Sequence, residues 1–156
     1  MSRPANGSIP HIVHLIQPRT TNAGFTTDVV SLKDALWCEL VFHLTQAAAH
    51  ATLITPRQAT TVALGATAVM PVMPIKANED VATSDTLAAK TAAANYTVTA
   101  DIKHKIVVFD IDPAALTDGY PCVYATVSNS AEATNFCAAQ AMIWTKSTPP
   151  ASAIID

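Results

Sequence analysis

Two aspartates separated by one residue, Asp110 and Asp112, are the strongest candidates for chemistry in this chain. They follow residues 106–109, an apolar run that is typical of a buried strand. Two carboxylates beyond the end of one strand can hold Mg²⁺, and one of them can attack a phosphoryl group. Such a site also needs a tight turn whose backbone amides hold the phosphate. The pattern therefore raises phosphoryl transfer as a candidate reaction.

The segment 107–112, VVFDID, resembles the first motif of haloacid-dehalogenase-type phosphatases, where the two aspartates act as nucleophile and acid/base around Mg²⁺. That family continues with Gly and then Thr or Val, whereas this chain continues with Pro113, Ala114 and Ala115. Too few residues follow Asp112 to build the doubly wound sheet of that family. A Mg²⁺-dependent phosphatase that uses Asp110 and Asp112 is therefore kept only as a remote alternative.

Turn chemistry explains the same residues without catalysis. Asp112 precedes Pro113, a pairing that caps and starts a short helical turn. Asp118 and Gly119 form a reverse-turn signal, and Pro121 begins the next extended run. We therefore interpret residues 105–127 as two core strands joined by a polar corner, and we predict no catalytic residues, no cofactor and no enzymatic activity.

The histidines and cysteines lack the spacing of a metal site. His11 and His14 lie between Pro10 and Pro18, which predicts extended structure with the two rings on opposite faces. The odd number of cysteines has no CxxC spacing, so buried reduced thiols are expected rather than disulfides or zinc ligands. These are Cys38, Cys122 and Cys137.

Composition excludes several classes of protein. The net charge of −3 and the pI near 5.9 argue against nucleic-acid binding, which needs a basic face. No apolar run is long enough for a signal-peptide core or a membrane span, so we expect a soluble protein made in the cytoplasm. Half of the residues are hydrophobic but only 13% are charged, which favours a subunit whose surface is covered in an assembly.

Short alternating runs with frequent turn signals predict an all-β protein, an antiparallel β-sandwich or barrel with one or two short helices. In residues 36–44 the alternation places Leu36, Cys38 and Leu40 on one face, followed on that face by Phe42 and Leu44. Thr55 and Pro56 predict a short helix over residues 55–64. Pro71 and Pro74 predict an edge strand or extended arm over residues 69–77. The other expected elements are a strand at 11–16, loops at 17–27 and 78–95, and strands at 96–101, 105–112, 122–128 and 136–146.

The expected organisation is one domain with two appendages. Residues 1–28 are assigned to an N-terminal arm and loop, residues 29–146 to the sandwich, and residues 147–156 to a flexible tail.

Three sequence blocks carry a resemblance that covers roughly residues 29–144. They are VSLKDALWCELVFHL, ITPRQAT, and DPAAL followed by DGYPCVYATVS. With these blocks the chain resembles a family of small virion structural proteins of tailed bacteriophages. The resemblance implies a capsid decoration (cement) protein of the virion that binds and stabilises the major capsid lattice, or a neck or tail accessory subunit. It also implies an antiparallel β-sandwich of jelly-roll-like form, contacts with the major capsid protein or other virion subunits, and a homo-oligomer, either a dimer or a trimer.

Extended apolar segments are the expected contact regions. The arm of residues 1–10 and the Pro-punctuated segment 69–75 are predicted to be extended and are apolar or rich in proline. Such segments suit packing against a neighbouring chain. The predicted interface residues are Ile9, Pro10, Ile12, Val69, Met70, Pro71, Val72, Met73, Pro74 and Ile75. A host-surface-binding or carbohydrate-binding sandwich is a further alternative, for which an aromatic platform would have to form from Trp37, Tyr120, Tyr124 and Trp144.

Overall fold

The computed structural model describes residues 9–146, and it shows an all-β sandwich of two antiparallel sheets. Sheet A has six strands in the order β1-β12-β4-β10-β7-β8, and sheet B has the order β2-β11-β5-β6, with β3 paired to β11 and β9 paired to β5. The strands are β1 (His11–Thr20), β2 (Phe25–Thr26), β3 (Val30–Ser31), β4 (Ala35–Thr45), β5 (Leu53–Thr61), β6 (Leu64–Val69), β7 (Met73–Asn78), β8 (Ala88–Ala93), β9 (Tyr96–Thr97), β10 (His104–Ile111), β11 (Cys122–Val127) and β12 (Phe136–Thr145).

The core lies between the two sheets and is built around β4 and β10. Phe42 of β4 and Phe109 of β10 are fully buried and meet edge to face, with ring centroids 5.8 Å apart. Opposite them, Val123, Ala125 and Val127 of β11 point inward from sheet B. In β4, β10, β11 and β12 every second residue belongs to this core, which confirms the alternation predicted for β4 from Cys38 to Leu44.

A β-bulge changes one residue of the predicted β4 face. Trp37 pairs with Trp144 and Ala35 pairs with Thr145, so Leu36 is left without a partner in β12. The side chain of Leu36 is exposed, whereas Ala35 takes the place in the core that the alternation predicted for Leu36.

The predicted helix over residues 55–64 is wrong, because these residues form β5, the hairpin turn and the start of β6. Pro56 is tolerated inside β5 because one side of the strand is open at that point. On that side β5 pairs with β9 only at Leu53 and Ile54, and with β6 only from Arg57 onward. Pro56 therefore lies in the gap between the two partners, where its missing N–H costs no ladder hydrogen bond.

The prediction that residues 69–77 form an edge strand or arm is also corrected. Their second half is β7, which lies between β10 and β8 and is not an edge. Pro74 sits at a register shift between Met73 and Ile75, and β7 joins β10 only from Ile75, so the proline removes no bond from that ladder. On this side of sheet A the edge strand is β8, in a region predicted to be loop.

The sandwich begins before residue 29. The strand predicted at residues 11–16 is present and continues to Thr20 as β1, which pairs with β12, and β2 pairs with β11. The predicted loop over residues 17–27 is therefore corrected to two strand segments and a turn. The predicted strand at 96–101 is reduced to Tyr96–Thr97. Residues 1–8 of the proposed arm and the proposed tail, residues 147–156, lie outside the described residues.

One end of sheet A gathers several of these features, and we call it the Asp112 end. Ile111 of β10 and Ile143 of β12 both pair with Cys38 of β4, and His11 of β1 pairs with Ile143. The start of β1, the start of β4, the end of β12 and the turn after β10 therefore lie at the same end. The opposite end carries the start of β10, where His104 pairs with Thr45.

Candidate functional site

Asp110 is held in an ion pair on the outer face of sheet A. The ammonium of Lys76 on the neighbouring β7 lies 2.7 Å from Oδ2 and 3.0 Å from Oδ1 of Asp110. Glu39 pairs with Asp110 across β4 and β10, and its carboxylate is 3.9 Å from the same ammonium. Lys76 therefore offsets two nearly buried carboxylates and contacts both oxygens of Asp110, the atoms that a Mg²⁺ ion would need.

Asp112 caps a turn, as its sequence context predicted. Its backbone is extended, and its Oδ1 accepts a hydrogen bond of 2.9 Å from the N–H of Ala114. Pro113 follows as the first residue of a single 3₁₀ turn, Pro113–Ala115. Gly119 then adopts a φ of +82° in the predicted reverse turn. The polar corner thus connects β10 of sheet A with β11 of sheet B, and the two aspartates have different structural tasks.

A small pocket lies between this corner and the segment that precedes β7. Its volume is about 200 Å³, and its walls include Trp37, Pro71, Val72, Asp110 and Asp112. The indole Nε1 of Trp37 is buried and has no hydrogen-bond partner among the described residues. The aspartate pair and the Pro-punctuated segment therefore line the same pocket.

Exposed apolar side chains lie along the Asp112 end from one side of sheet A to the other. Ile12 of β1 is 65% exposed, Val72 just before β7 is 69% exposed, and Leu36 at the start of β4 is also exposed. Four strand spacings separate β1 from β7, which places Ile12 and Val72 about 19 Å apart across the sheet. We call this set, together with Ile9, the apolar row.

The predicted interface residues divide by burial. Ile9, Ile12, Val69, Val72 and Pro74 are exposed, and Pro10 and Pro71 are half-buried. Three residues lie inside the sandwich as part of its core, namely Met70, Met73 and Ile75. Of the exposed members, Val69 ends β6 in sheet B, whereas the others lie at the Asp112 end. The segment 69–75 thus has an outward-facing part and a core-facing part.

The four aromatic residues considered for a binding platform do not share a surface. Trp37 and Trp144 are cross-strand neighbours that are nearly buried on the outer face of sheet A. Tyr124 is buried on sheet B, in a small cluster with Val29, Ala59 and Cys122, and Tyr120 is half-buried in the loop before β11. Stacking on a flat ligand requires exposed ring faces, so this arrangement supports packing.

A buried polar cluster at the opposite end was not found from the sequence. The side chain of Lys105 is fully buried, and its ammonium lies 3.3 Å from Glu79 Oε2 and 2.8 Å from Thr99 Oγ1. Glu79 also accepts hydrogen bonds from Tyr96 OH at 2.6 Å and from the N–H of Thr99 at 3.1 Å. Since Lys105 comes from sheet A and Tyr96 from sheet B, this Lys105 cluster ties the two sheets together. The only sequence signal was a lysine at the start of an apolar strand.

Opposing effects set the pKa values in the Lys105 cluster. Burial raises the pKa of Glu79, but hydrogen bonds from Tyr96 and Thr99 and the charge of Lys105 outweigh burial and hold the pKa below its ordinary value of 4.5. Burial, together with the hydrogen bond to Glu79 and its charge, raises the pKa of Tyr96 well above 10.0. The cluster therefore stabilises the negative form of Glu79 and the neutral form of Tyr96.

The three cysteines are buried free thiols, as predicted. Burial raises the pKa of each, for Cys137 to about 12, and the nearby charge of Glu39 adds to the effect at Cys38. Thiols that stay protonated are poor nucleophiles and poor metal ligands. Within residues 9–146, no group of three His, Cys, Asp or Glu side chains is placed to hold a metal ion.

Comparison with protein-family models, with curated proteins and with solved structures finds no match for this chain. Among the described residues, no helix is long and apolar enough to cross a membrane.

Proposed function

We propose that this protein is a structural component of a bacteriophage virion, a capsid decoration (cement) protein that binds and stabilises the lattice of the major capsid protein. It has no enzymatic role and needs no cofactor. In this proposal the chain is made in the host cytoplasm, acts in the virion and works as a homo-oligomer, a dimer or a trimer. The alternatives are a neck or tail accessory subunit and a host-surface-binding sandwich.

The apolar row at the Asp112 end is the observation that carries the proposal. Ile9, Ile12, Leu36 and Val72 expose large hydrophobic side chains at one end of a chain that has few charges overall. Single exposed hydrophobic residues are ordinary, but a row of them that extends from β1 to the start of β7 is typical of a surface that another protein covers. Val72 also lines the pocket beside Trp37, so the row includes a recess for a partner side chain.

The contacts of Asp110 do not favour the phosphatase alternative. Phosphoryl transfer by an aspartate pair needs one carboxylate free to attack and both available to the metal ion. Here Lys76 contacts both oxygens of Asp110, and Asp112 uses one oxygen to cap the turn. Asp110→Asn therefore tests this alternative: assembly should persist, and the native protein should not hydrolyse p-nitrophenyl phosphate with Mg²⁺. Turnover that Asp110→Asn abolishes would contradict the proposal.

The direct test of the proposal is the copy number of the chain in purified particles of the virus that encodes it, measured by quantitative mass spectrometry. A decoration protein is expected at on the order of hundreds of copies per particle, because it repeats with the capsid lattice. About a dozen copies would instead support a neck or tail subunit. Absence from the particles would refute a virion role.

The contact surface can be tested with a matched pair of substitutions. Ile12 and Ile102 are 65% and 62% exposed, but Ile12 lies in the apolar row and Ile102 lies at the opposite end, just before β10. Ile12→Asp should weaken binding to capsids assembled without the chain by at least about tenfold, since a carboxylate would be buried without a partner. Ile102→Asp should bind like the native protein. Equal binding of the two variants would contradict the assigned surface.

A further inference from the structure

Within residues 9–146 the two sheets have four open edges, and three of them carry features that prevent pairing with another chain. β1 contains Pro18 and Arg19 and has two register shifts against β12. β8 carries Lys90, and its pairing with β7 has a register shift. The remaining protected edge, on the far side of β11, consists of β2 and β3, which are two residues each. Charges, prolines, bulges and very short strands are the usual means of blocking edge-to-edge association.

β6 is the edge of sheet B that lacks these features. Leu64–Val69 has the sequence LGATAV, with no charged residue and no proline, and its register shift against β5 is confined to the hairpin turn. Five of the six residues are exposed, so both faces of the strand as well as its outer edge are open, and Val69 is 67% exposed. An edge of this kind presents backbone N–H and C=O groups to a strand that comes beside it. In β6 the carbonyl of Val69 already accepts a hydrogen bond from Gln58 Nε2 and the N–H of Ala66 donates one to Thr60 Oγ1, so the part left open is the middle of the strand around Thr67.

We propose that β6 pairs antiparallel with β6 of a second copy of this chain across a two-fold axis, which joins the two copies of sheet B into one continuous sheet. A second copy of this chain is the partner that fits. In a two-fold pair each strand lies beside the identical strand of the other copy, so any charge on the strand meets the same charge and opposes the pairing. β6 has no charged residue. In a two-fold pair of β1 or of β8, by contrast, Arg19 or Lys90 would lie near the same residue of the other copy and repel it. This inference identifies the surface behind the homo-oligomer of the proposed function, but it does not require a virion.

The middle of β6 gives a direct test. In a two-fold antiparallel pair, the two copies of Thr67 lie close together, and Thr67 is exposed, so its substitution leaves the core unchanged. Thr67→Lys and Thr67→Glu should each weaken self-association at least about tenfold, since like charges would face each other. Mixing the two variants should restore association as a heterodimer, because the charges are then opposite. Thr91→Lys on β8 is the matched control and should associate like the native chain.

Sedimentation equilibrium of the purified chain, from about 1 to 200 µM, measures these effects, with circular dichroism to verify folding. The expected result is a native dimer, a dimeric Thr91→Lys variant, monomeric Thr67 variants and a heterodimer in their mixture. A native chain that stays monomeric, a mixture that stays monomeric, or dissociation caused by Thr91→Lys would each overturn the proposal. The measurement uses no particles, so a failure here is separate from a failure of the chain to bind capsids.

Discussion

Glu79→Gln is the substitution that should reveal how strongly the Lys105 cluster holds the sheets together. The change keeps the shape of the side chain but removes the charge that lies 3.3 Å from the Lys105 ammonium. The side chain of Lys105 is 0% exposed, so its charge would lose its counter-ion without gaining water. Its remaining partners would be the carbonyl and hydroxyl oxygens of Thr99.

The expected loss in the free energy of unfolding follows from the burial of Lys105. Removing one partner of a buried ion pair costs about 3–5 kcal/mol, because the other charge stays buried and unpaired. Glu79 is 18% exposed and Lys105 keeps two hydrogen bonds, so we expect the lower limit, about 3 kcal/mol. Lys105→Met removes the buried charge itself and should cost only about 1 kcal/mol, since Glu79 keeps its bonds from Tyr96 and Thr99. The double variant should therefore be more stable than Glu79→Gln alone.

Urea unfolding at pH 7, followed by the fluorescence of Trp37 and Trp144, measures these free energies. For a domain of this size, about 3 kcal/mol corresponds to a fall in Tm of about 6–12 °C. Because the pKa of Glu79 is lowered in the folded protein, its contribution is complete above the ordinary value of 4.5 and is lost as the pH falls through the lowered pKa. The difference between native protein and Glu79→Gln should therefore shrink in that acid range.

Asp80→Asn is the matched control, because Asp80 forms an exposed pair with Lys103 at 2.8 Å next to the cluster and its loss should have little effect on stability. A loss below about 1 kcal/mol for Glu79→Gln, or a double variant less stable than Glu79→Gln, would refute the reasoning.

Three further predictions concern other parts of the chain. Gly24→Ala should cost about 2 kcal/mol more than Gly119→Ala in urea unfolding: both glycines have a positive φ, but a Cβ at Gly24 would lie 2.8 Å from a backbone oxygen, whereas nothing lies within 4 Å at Gly119. Equal losses would contradict this. The three buried thiols should not react with Ellman's reagent in the native protein and should all react in urea, and a fast native reaction would show that burial does not protect them. Stability should fall as the pH rises above 10.0, because folded Tyr96 keeps its proton where the unfolded chain loses it, and Tyr96→Phe should lessen this fall in thermal unfolding.

The sequence predicted the strands whose two faces have different environments. β4, β10, β11 and β12 alternate because one face of each lies in the core, and the fold class followed from them. β8 lies in a region predicted to be loop, because its sequence, AAKTAA, shows no alternation of apolar and polar residues. Most of its residues are exposed, so neither face needs to be apolar. The helix predicted at Thr55 and Pro56 followed the rules of helix starts, but the gap in the partners of β5 makes the proline acceptable in a strand.

The candidate site was predictable only in part. The cap at Asp112 and the turn at Gly119 depend on neighbouring residues, so local sequence was sufficient. The ion pair of Asp110 with Lys76 and the Lys105 cluster join residues that lie on different strands, and their formation depends on strand order, which local patterns do not contain. The apolar row has the same origin, because Ile12, Leu36 and Val72 are brought to the same end of the sandwich only through the arrangement of sheet A.

The pairing of β1 with β12 has a consequence for protein engineering. His11 lies opposite Ile143, so the described chain enters and leaves the sandwich on adjacent strands at the Asp112 end. The exposed loop of residues 82–86 lies at the other end, after β7. A circular permutant that joins residue 9 to residue 146 through a short linker and opens the chain in that loop would keep every strand pair. Its new termini would lie in that loop, away from the Asp112 end. A reporter attached to them would leave the apolar row accessible.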